Sequence, residues 1–162
     1  MVDTTGGASA RRTARLELRG PTSRTPLPAV RAMTGDLAMR MDFDLDAVED
    51  LRLAVDEASA TLAAIAQPGT PLVTVFEAGP EGLEIPAWVS TAAGTDVPRD
   101  GFGWAVIAAL VDSVEAGPST QADVPAGDGS DGPVASITLT KELPPALRTA
   151  PGGGGADLSV AR

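Results

Sequence analysis

A long amphipathic helix, predicted over residues 45–66, constrains the fold of this chain more than any other feature. Apolar side chains recur there at steps of three and four, which places them along one stripe of a helix. They are Leu45, Val48, Leu51, Val55, Ala58, Leu62 and Ile65. Asp44 is a good N-cap before the first turn, and Pro68-Gly69 ends the helix after the last. An apolar stripe of this length predicts a helix packed on another layer of structure.

A second side of the same helix carries polar groups at a spacing that can serve a ligand. Glu57 and Thr61 are four residues apart, so they are neighbours on the helix surface and can point two oxygens at one object. The alternative is that Glu57 is a solvated helix residue and Thr61 an ordinary surface threonine. Arg52 and Asp56, also four apart, are predicted to form an exposed ion pair of small energetic value.

Around this helix the sequence predicts four strands and two further helices. In order, they are a strand over 13–19, a helix over 28–41, a hairpin of strands over 72–77 and 83–90, a helix over 105–114 and a strand over 134–141. Residues 117–133 are predicted to form a long flexible loop without chemistry of its own. The simplest way to pack these elements is in a single α+β domain. Its sheet is predicted to be mixed, mostly antiparallel, and covered on one face by helices.

The length of 162 residues suits one domain with a single core. Residues 1–10 are small and polar, and residues 144–162 carry two adjacent prolines and a run of four glycines. Both ends are therefore expected to be disordered, which leaves a domain over 11–143.

The net charge of -10 repels phosphates, so direct binding to nucleic acid is disfavoured and a basic partner protein is favoured. The chain contains no cysteine and no histidine, which excludes disulfides, thiolate metal sites and histidine general bases. No signal peptide or membrane span is recognisable in the sequence, so no membrane association and a cytoplasmic location are expected.

Three stretches together resemble a known fold. They are the run from Asp42 to Glu57, the pair Gly101 and Gly103 at the entry to an apolar helix, and the closing strand from Ile137 to Thr140. With the order of the elements, they resemble the histidine-kinase-like ATPase fold and, within it, the family of anti-sigma factors and serine-protein kinases. The resemblance covers about residues 12–141 and is to the actinobacterial branch that restrains stress or sporulation sigma factors of the sigma-F type.

The resemblance implies an ATP and Mg2+ site. Glu57 matches the glutamate that orients water or an attacking hydroxyl, and Thr61 stands where the family has a magnesium-binding asparagine. Gly94 is the remnant of the first glycine box, and Gly101 and Gly103 resemble the second, whose amides meet phosphate. The expected adenine-reading aspartate is absent after the second hairpin strand, and the lid is short. On the residues alone, the glycine pair could equally shape a tight turn.

The resemblance also implies a partner site on the first helix. Arg31 lies 26 residues before Glu57, at the spacing of the family's partner-binding arginine, although it could also be an ordinary surface residue. By this resemblance the protein sequesters a sigma-F-like sigma factor and is released by an anti-anti-sigma factor, with degenerate nucleotide boxes. The alternatives are an active ATP-dependent serine kinase acting on the anti-anti-sigma factor, or a structural protein that keeps only the fold. A homodimer is expected.

Overall fold

A computed structural model describes residues 14–22, 27–125, 127 and 131–148 of the chain. Within these residues, five strands form one sheet in the order β1-β2-β3-β5-β4, accompanied by three helices. The elements are β1 (Ala14–Pro21), α1 (Leu27–Arg40), α2 (Leu45–Ile65), β2 (Pro71–Ala78), β3 (Gly82–Ser90), α3 (Phe102–Leu110), β4 (Ser113–Thr120) and β5 (Pro133–Glu142).

The central helix forms as its sequence predicts. Asp44 caps α2 by accepting a hydrogen bond from the amide of Ala47 at 2.8 Å, a contact worth about 1 kcal/mol. From Val48 to Leu62 the predicted apolar stripe is buried, whereas Ile65 is half-buried and Leu45 is 71% exposed, so the stripe was predicted one turn too long at its start. The buried residues of α2 are Val48, Leu51, Ala54, Val55, Ala58, Ser59 and Leu62.

The sheet supplies the other half of the core. Side chains alternate across a strand, so every second residue of β2, β3 and β5 faces the helices. Phe76, Ile85 and Ile137 are fully buried in this layer. The tight β2–β3 turn requires Gly82, whose φ is +155° and whose Cβ would lie 2.2 Å from the carbonyl oxygen of Lys141.

The predicted α+β class is confirmed. The three helices pack on one face of the sheet, and every pairing between described strands is antiparallel, so the parallel component of the expected mixed sheet is not found among them. The edge strand β1 is less buried than its alternating pattern indicates, since Leu16 is 41% exposed.

Two boundaries in the second half of the chain differ from the prediction. The helix predicted over 105–114 runs instead from Phe102 to Leu110, and Val114 belongs to β4. The first part of the loop predicted over 117–133 is also strand, because β4 pairs with β5 as far as Thr120. Gly and Pro are depleted in strands, but β4 lies at the edge of the sheet, where Pro118 needs no partner on its outer side.

The segment after β4 covers the face of the sheet opposite the helices. Trp88 donates its indole N–H to the carbonyl oxygen of Pro125 at 3.0 Å, and Val124 packs with it. The buried cluster consists of Val73, Val75, Trp88, Val124 and Val134. Part of the predicted flexible loop is therefore a cover over a second, smaller apolar cluster.

The predicted disordered segments are mostly untested, because residues 1–13 and 149–162 lie outside the described residues. Residues 144–148 form a turn, in which the amide of Leu147 donates to the carbonyl oxygen of Pro144 at 2.8 Å. No helix in the described part of the chain is long and apolar enough to cross a membrane.

Candidate functional site

The fold brings Glu57 to the glycine pair. Glu57 lies in the middle of α2 and Gly103 in the first turn of α3, two helices that pack against each other. A Cβ atom added to Gly103 would lie 2.9 Å from Glu57 Oε2, although the two residues are 46 positions apart in the sequence. The predicted proximity of these two elements is present in the structure.

The start of α3 is an exposed helix N-terminus. Gly101 is the N-cap residue, and its carbonyl oxygen accepts the first helical hydrogen bond from Ala105 at 3.3 Å. Gly101 has no side chain to bond the free amides of the first turn, which attract negative charge. The half-buried Glu57 carboxylate lies beside this turn.

The other two residues predicted to bind nucleotide are Thr61 and Gly94. Thr61 is half-buried, one helical turn beyond Glu57 on the same side of α2. Gly94 has a φ of +81° in a turn in which the amide of Thr95 donates to the carbonyl oxygen of Ala92 at 3.2 Å. Because this left-handed conformation favours glycine, the backbone alone explains Gly94.

Thr91, which the sequence analysis missed, has an unsatisfied hydroxyl. It follows β3, it is 1% exposed, and its Oγ1 has no hydrogen-bond partner among the described residues. A buried hydroxyl without a partner costs free energy, so Thr91 is a candidate to meet a ligand or a water. The alternation of β3 could have identified it, because Thr91 continues the register of Ala87 and Val89, which face the helices.

The described residues do not supply a full set of ligands for Mg2+ and phosphates. They contain no group of three or more aspartates or glutamates placed to hold a metal ion. Mg2+ prefers six oxygen ligands, but it usually keeps several waters and takes others from substrate phosphates, so Glu57 and Thr61 would be the ligands that the protein supplies. The carboxylate beside Gly103 would also repel a phosphate at that turn. The site therefore places two oxygen ligands of the kind that Mg2+ accepts beside a turn whose carboxylate disfavours phosphate.

The predicted partner residue Arg31 lies on the surface shared by α1 and α2. Its Nη1 donates to Asp56 Oδ2 at 2.8 Å, and its Nη2 lies 3.9 Å from Glu49 Oε2. The side chain of Arg31 remains 50% exposed. A partner would thus meet a guanidinium that is accessible and already oriented by two carboxylates.

The predicted ion pair between Arg52 and Asp56 is wrong. Arg52 bonds Glu49 instead, three residues earlier on α2, while Asp56 takes Arg31 from α1. The physical reason is Gly35, which leaves room for the Arg52 guanidinium to lie against α1. A Cβ on Gly35 would lie 2.3 Å from Arg52 Nη2.

With Arg52 paired to Glu49 and Asp56 to Arg31, two buried atoms, Arg52 Nε and Asp56 Oδ1, have no hydrogen bond within the described residues. One is a donor and the other an acceptor, and they belong to side chains four residues apart on the same helix. The charged surface formed by Arg31, Glu49, Arg52 and Asp56, called here the α1–α2 charged face, is thus compact but not fully satisfied.

No family model matches the chain. Over 91 residues it is 40% identical to the anti-sigma-F factor RsbW of Mycobacterium tuberculosis, in both strain CDC 1551 and strain H37Rv. The chain is similar to anti-sigma-F factors. The match confirms the resemblance drawn from the sequence and extends over 55% of this chain and 53% of each relative, so the chain spans about half the length of the curated relatives that it matches.

Proposed function

We propose that this protein is an anti-sigma factor, which binds a sigma factor of the sigma-F type and is released by an anti-anti-sigma factor. The observation that carries the proposal is Arg31, an accessible arginine on α1 at the spacing expected for partner contact. The similarity to anti-sigma-F factors over half of the chain supports it.

The chemistry of Arg31 suits recognition of an acidic group on a partner. A guanidinium is planar, always charged and able to bind a carboxylate through two parallel N–H groups. Asp56 and Glu49 occupy one edge of Arg31 and restrict its motion, so less side-chain entropy is lost when a partner binds. If both partners use this arginine, they cannot bind at the same time, and the second displaces the first.

Isothermal titration of the purified protein with a sigma-F-type factor from the same genome tests the proposal. We expect binding without nucleotide, and at least tenfold weaker binding by Arg31→Ala, roughly the loss of one charge-assisted pair. Arg40→Ala is the matched control, because Arg40 is an exposed arginine on the same helix. If no heat is released with the sigma factor, the anti-sigma role is wrong.

A second candidate function is an ATP-dependent serine kinase that acts on the anti-anti-sigma factor. The contact between Glu57 and Gly103 favours it, whereas the repulsion between that carboxylate and a phosphate at the same turn does not. Bound Mg2+ and ATP would supply the phosphoryl group, and Glu57 would accept the proton of the serine hydroxyl. Transfer of labelled phosphate that disappears in Glu57→Ala would establish this function, and its absence would leave a nucleotide-independent binding protein.

A homodimer is part of the proposal, and it has the resemblance alone as support. Light scattering at tens of micromolar tests it, since a strict monomer at that concentration would contradict it.

A further inference from the structure

Helix α3 exposes an apolar surface that the fold does not use. All nine of its residues are apolar, yet Ile107 is the only one of them that is buried. Phe102 is 86% exposed, more than any other large hydrophobic residue in the described part of the chain. Large exposed apolar surfaces that recur along one element mark places where proteins bind other molecules.

The exposed residues form one stripe. Phe102, Ala105, Val106 and Ala109 follow a spacing of three and four, which places them on one side of α3, while Ile107 lies on the other side. Ala105 and Ala109 are exposed and Val106 is half-exposed. This outward stripe has a large side chain at its start and small ones behind it, a shape that admits another helix closely.

The surroundings of the stripe are predominantly acidic. Asp100 is exposed directly before the helix, Glu57 lies beside Gly103, and Asp112 is exposed just after the helix.

Two cationic side chains in the described part of the chain lie nearby. The side chain of Arg99 is 49% exposed, with its guanidinium 5.9 Å from the ring centroid of Trp104 and hydrogen-bonded to the carbonyl oxygen of Ala116. Lys141 donates to the carbonyl oxygen of Leu110 at 3.1 Å, and its Nζ lies 4.0 Å from Asp112 Oδ1. The carboxylate of Asp112 is engaged by Lys141 and by the amide of Glu142, whereas Asp100 is exposed at the start of the apolar stripe, in a protein of net charge -10.

We propose that the outward stripe of α3 is a docking surface for a basic amphipathic helix of a partner protein. The apolar side of such a helix would cover Phe102 and the alanines, and its Lys or Arg residues would meet the exposed Asp100. A second copy of this chain fits less well, because it would bring the same carboxylates against each other. This surface lies on α3 and does not include Arg31, so it adds a second contact region to the protein.

Fluorescence anisotropy with two labelled synthetic peptides tests the docking surface. One is an 18-residue amphipathic helix of Leu and Lys, and the other has Glu in place of every Lys. At about 0.15 M salt, where surface charges interact only within about 8 Å, we expect the lysine peptide to bind at least tenfold more tightly than the glutamate peptide. We also expect Phe102→Ser to weaken binding of the lysine peptide at least tenfold.

Met39→Ser is the matched control, because Met39 is a 54% exposed apolar residue on α1. It should bind the lysine peptide as the unmodified protein does. Ala109→Arg, at an exposed position of the same stripe, gives a second variant and should also lose binding of the lysine peptide.

Three results would overturn the proposal. The first is failure of the lysine peptide to bind, and the second is unchanged binding of that peptide by both Met39→Ser and Phe102→Ser, which would mean attraction by overall charge. The third is a dimer in sedimentation that Phe102→Ser dissociates, which would assign the stripe to a second copy of the chain. None of these results depends on whether the protein binds a sigma factor, so the proposed function is tested separately.

Discussion

The carboxylates on the two sides of helix α2 differ in whether they form ion pairs. On the side facing α1, Asp56 and Glu49 are tied to Arg31 and Arg52. On the side facing α3, the next residue, Glu57, makes no ion pair with a described residue and lies beside a helix N-terminus. Successive residues of a helix point about 100° apart, so neighbours in sequence serve different surfaces. Paired charges therefore orient the guanidinium of Arg31 on the α1 side, whereas on the α3 side the Glu57 carboxylate lies beside a helix N-terminus without an ion pair to a described residue.

The largest effect on this contrast should come from filling the space at Gly35. Gly35→Leu would displace the Arg52 guanidinium and separate α1 from α2, so we expect the free energy of unfolding to fall by about 2–3 kcal/mol. Urea unfolding measures it. Ala32→Leu, at an exposed position of the same helix, should change stability by less than about 0.5 kcal/mol. Equal effects of the two substitutions would show that α1 and α2 are not closely packed at Gly35.

A smaller effect is expected from the ion pair itself. Asp56→Asn removes the charge that holds Arg31, and we expect a loss of about 0.5–1 kcal/mol, since the pair is half-exposed. Asp36→Asn is the control, because Asp36 pairs with Arg40 at 2.7 Å on the exposed side of α1 and raises the pKa of that guanidinium. A double-mutant cycle of Arg31 and Asp56 measures the coupling, and a value of zero would contradict the pairing.

On the α3 side, Gly103→Ala should be tolerated. The added Cβ would meet only the flexible end of Glu57, and alanine favours the helix over glycine, so we expect stability to rise by about 0.5 kcal/mol. Thermal unfolding measures the change, with Gly82→Ala as the contrasting variant. A Cβ at Gly82 would meet the backbone of Lys141, so the Gly82→Ala variant should be less stable than the unmodified protein. A strongly destabilised Gly103→Ala would show that the start of α3 is rigidly packed against α2.

The smallest change in stability is expected for Thr61→Asn, which replaces one half-buried polar side chain on α2 by another. The informative measurement on this variant is a titration with ATP and Mg2+. If the site lacks only this ligand, the amide oxygen should tighten nucleotide binding about fivefold, the equivalent of about 1 kcal/mol. Unchanged binding would mean that the α3 side lacks more than the asparagine.

Elements with local signals could be predicted from the sequence. The cap at Asp44 and the apolar periodicity gave both ends of α2 within a residue, because capping and periodicity depend on near neighbours. The strand β4 could not be predicted, because Gly117 and Pro118 disfavour a strand locally and only the partner β5 compensates for them. The start of α3 was placed three residues late, since a glycine N-cap carries a weak signal.

The residues of the candidate site show the same division between local signals and tertiary contacts. The sequence alone determined that Glu57 and Thr61 share one side of a helix, that the chain is too acidic to favour nucleic acid, and that Arg31 is a candidate for partner contact. Only the tertiary structure decided which carboxylate pairs with Arg31, that Glu57 meets Gly103, and that α3 leaves Phe102 exposed. Helix periodicity is a local property of the chain, whereas ion pairs between helices and the exposure of a side chain depend on how distant segments pack.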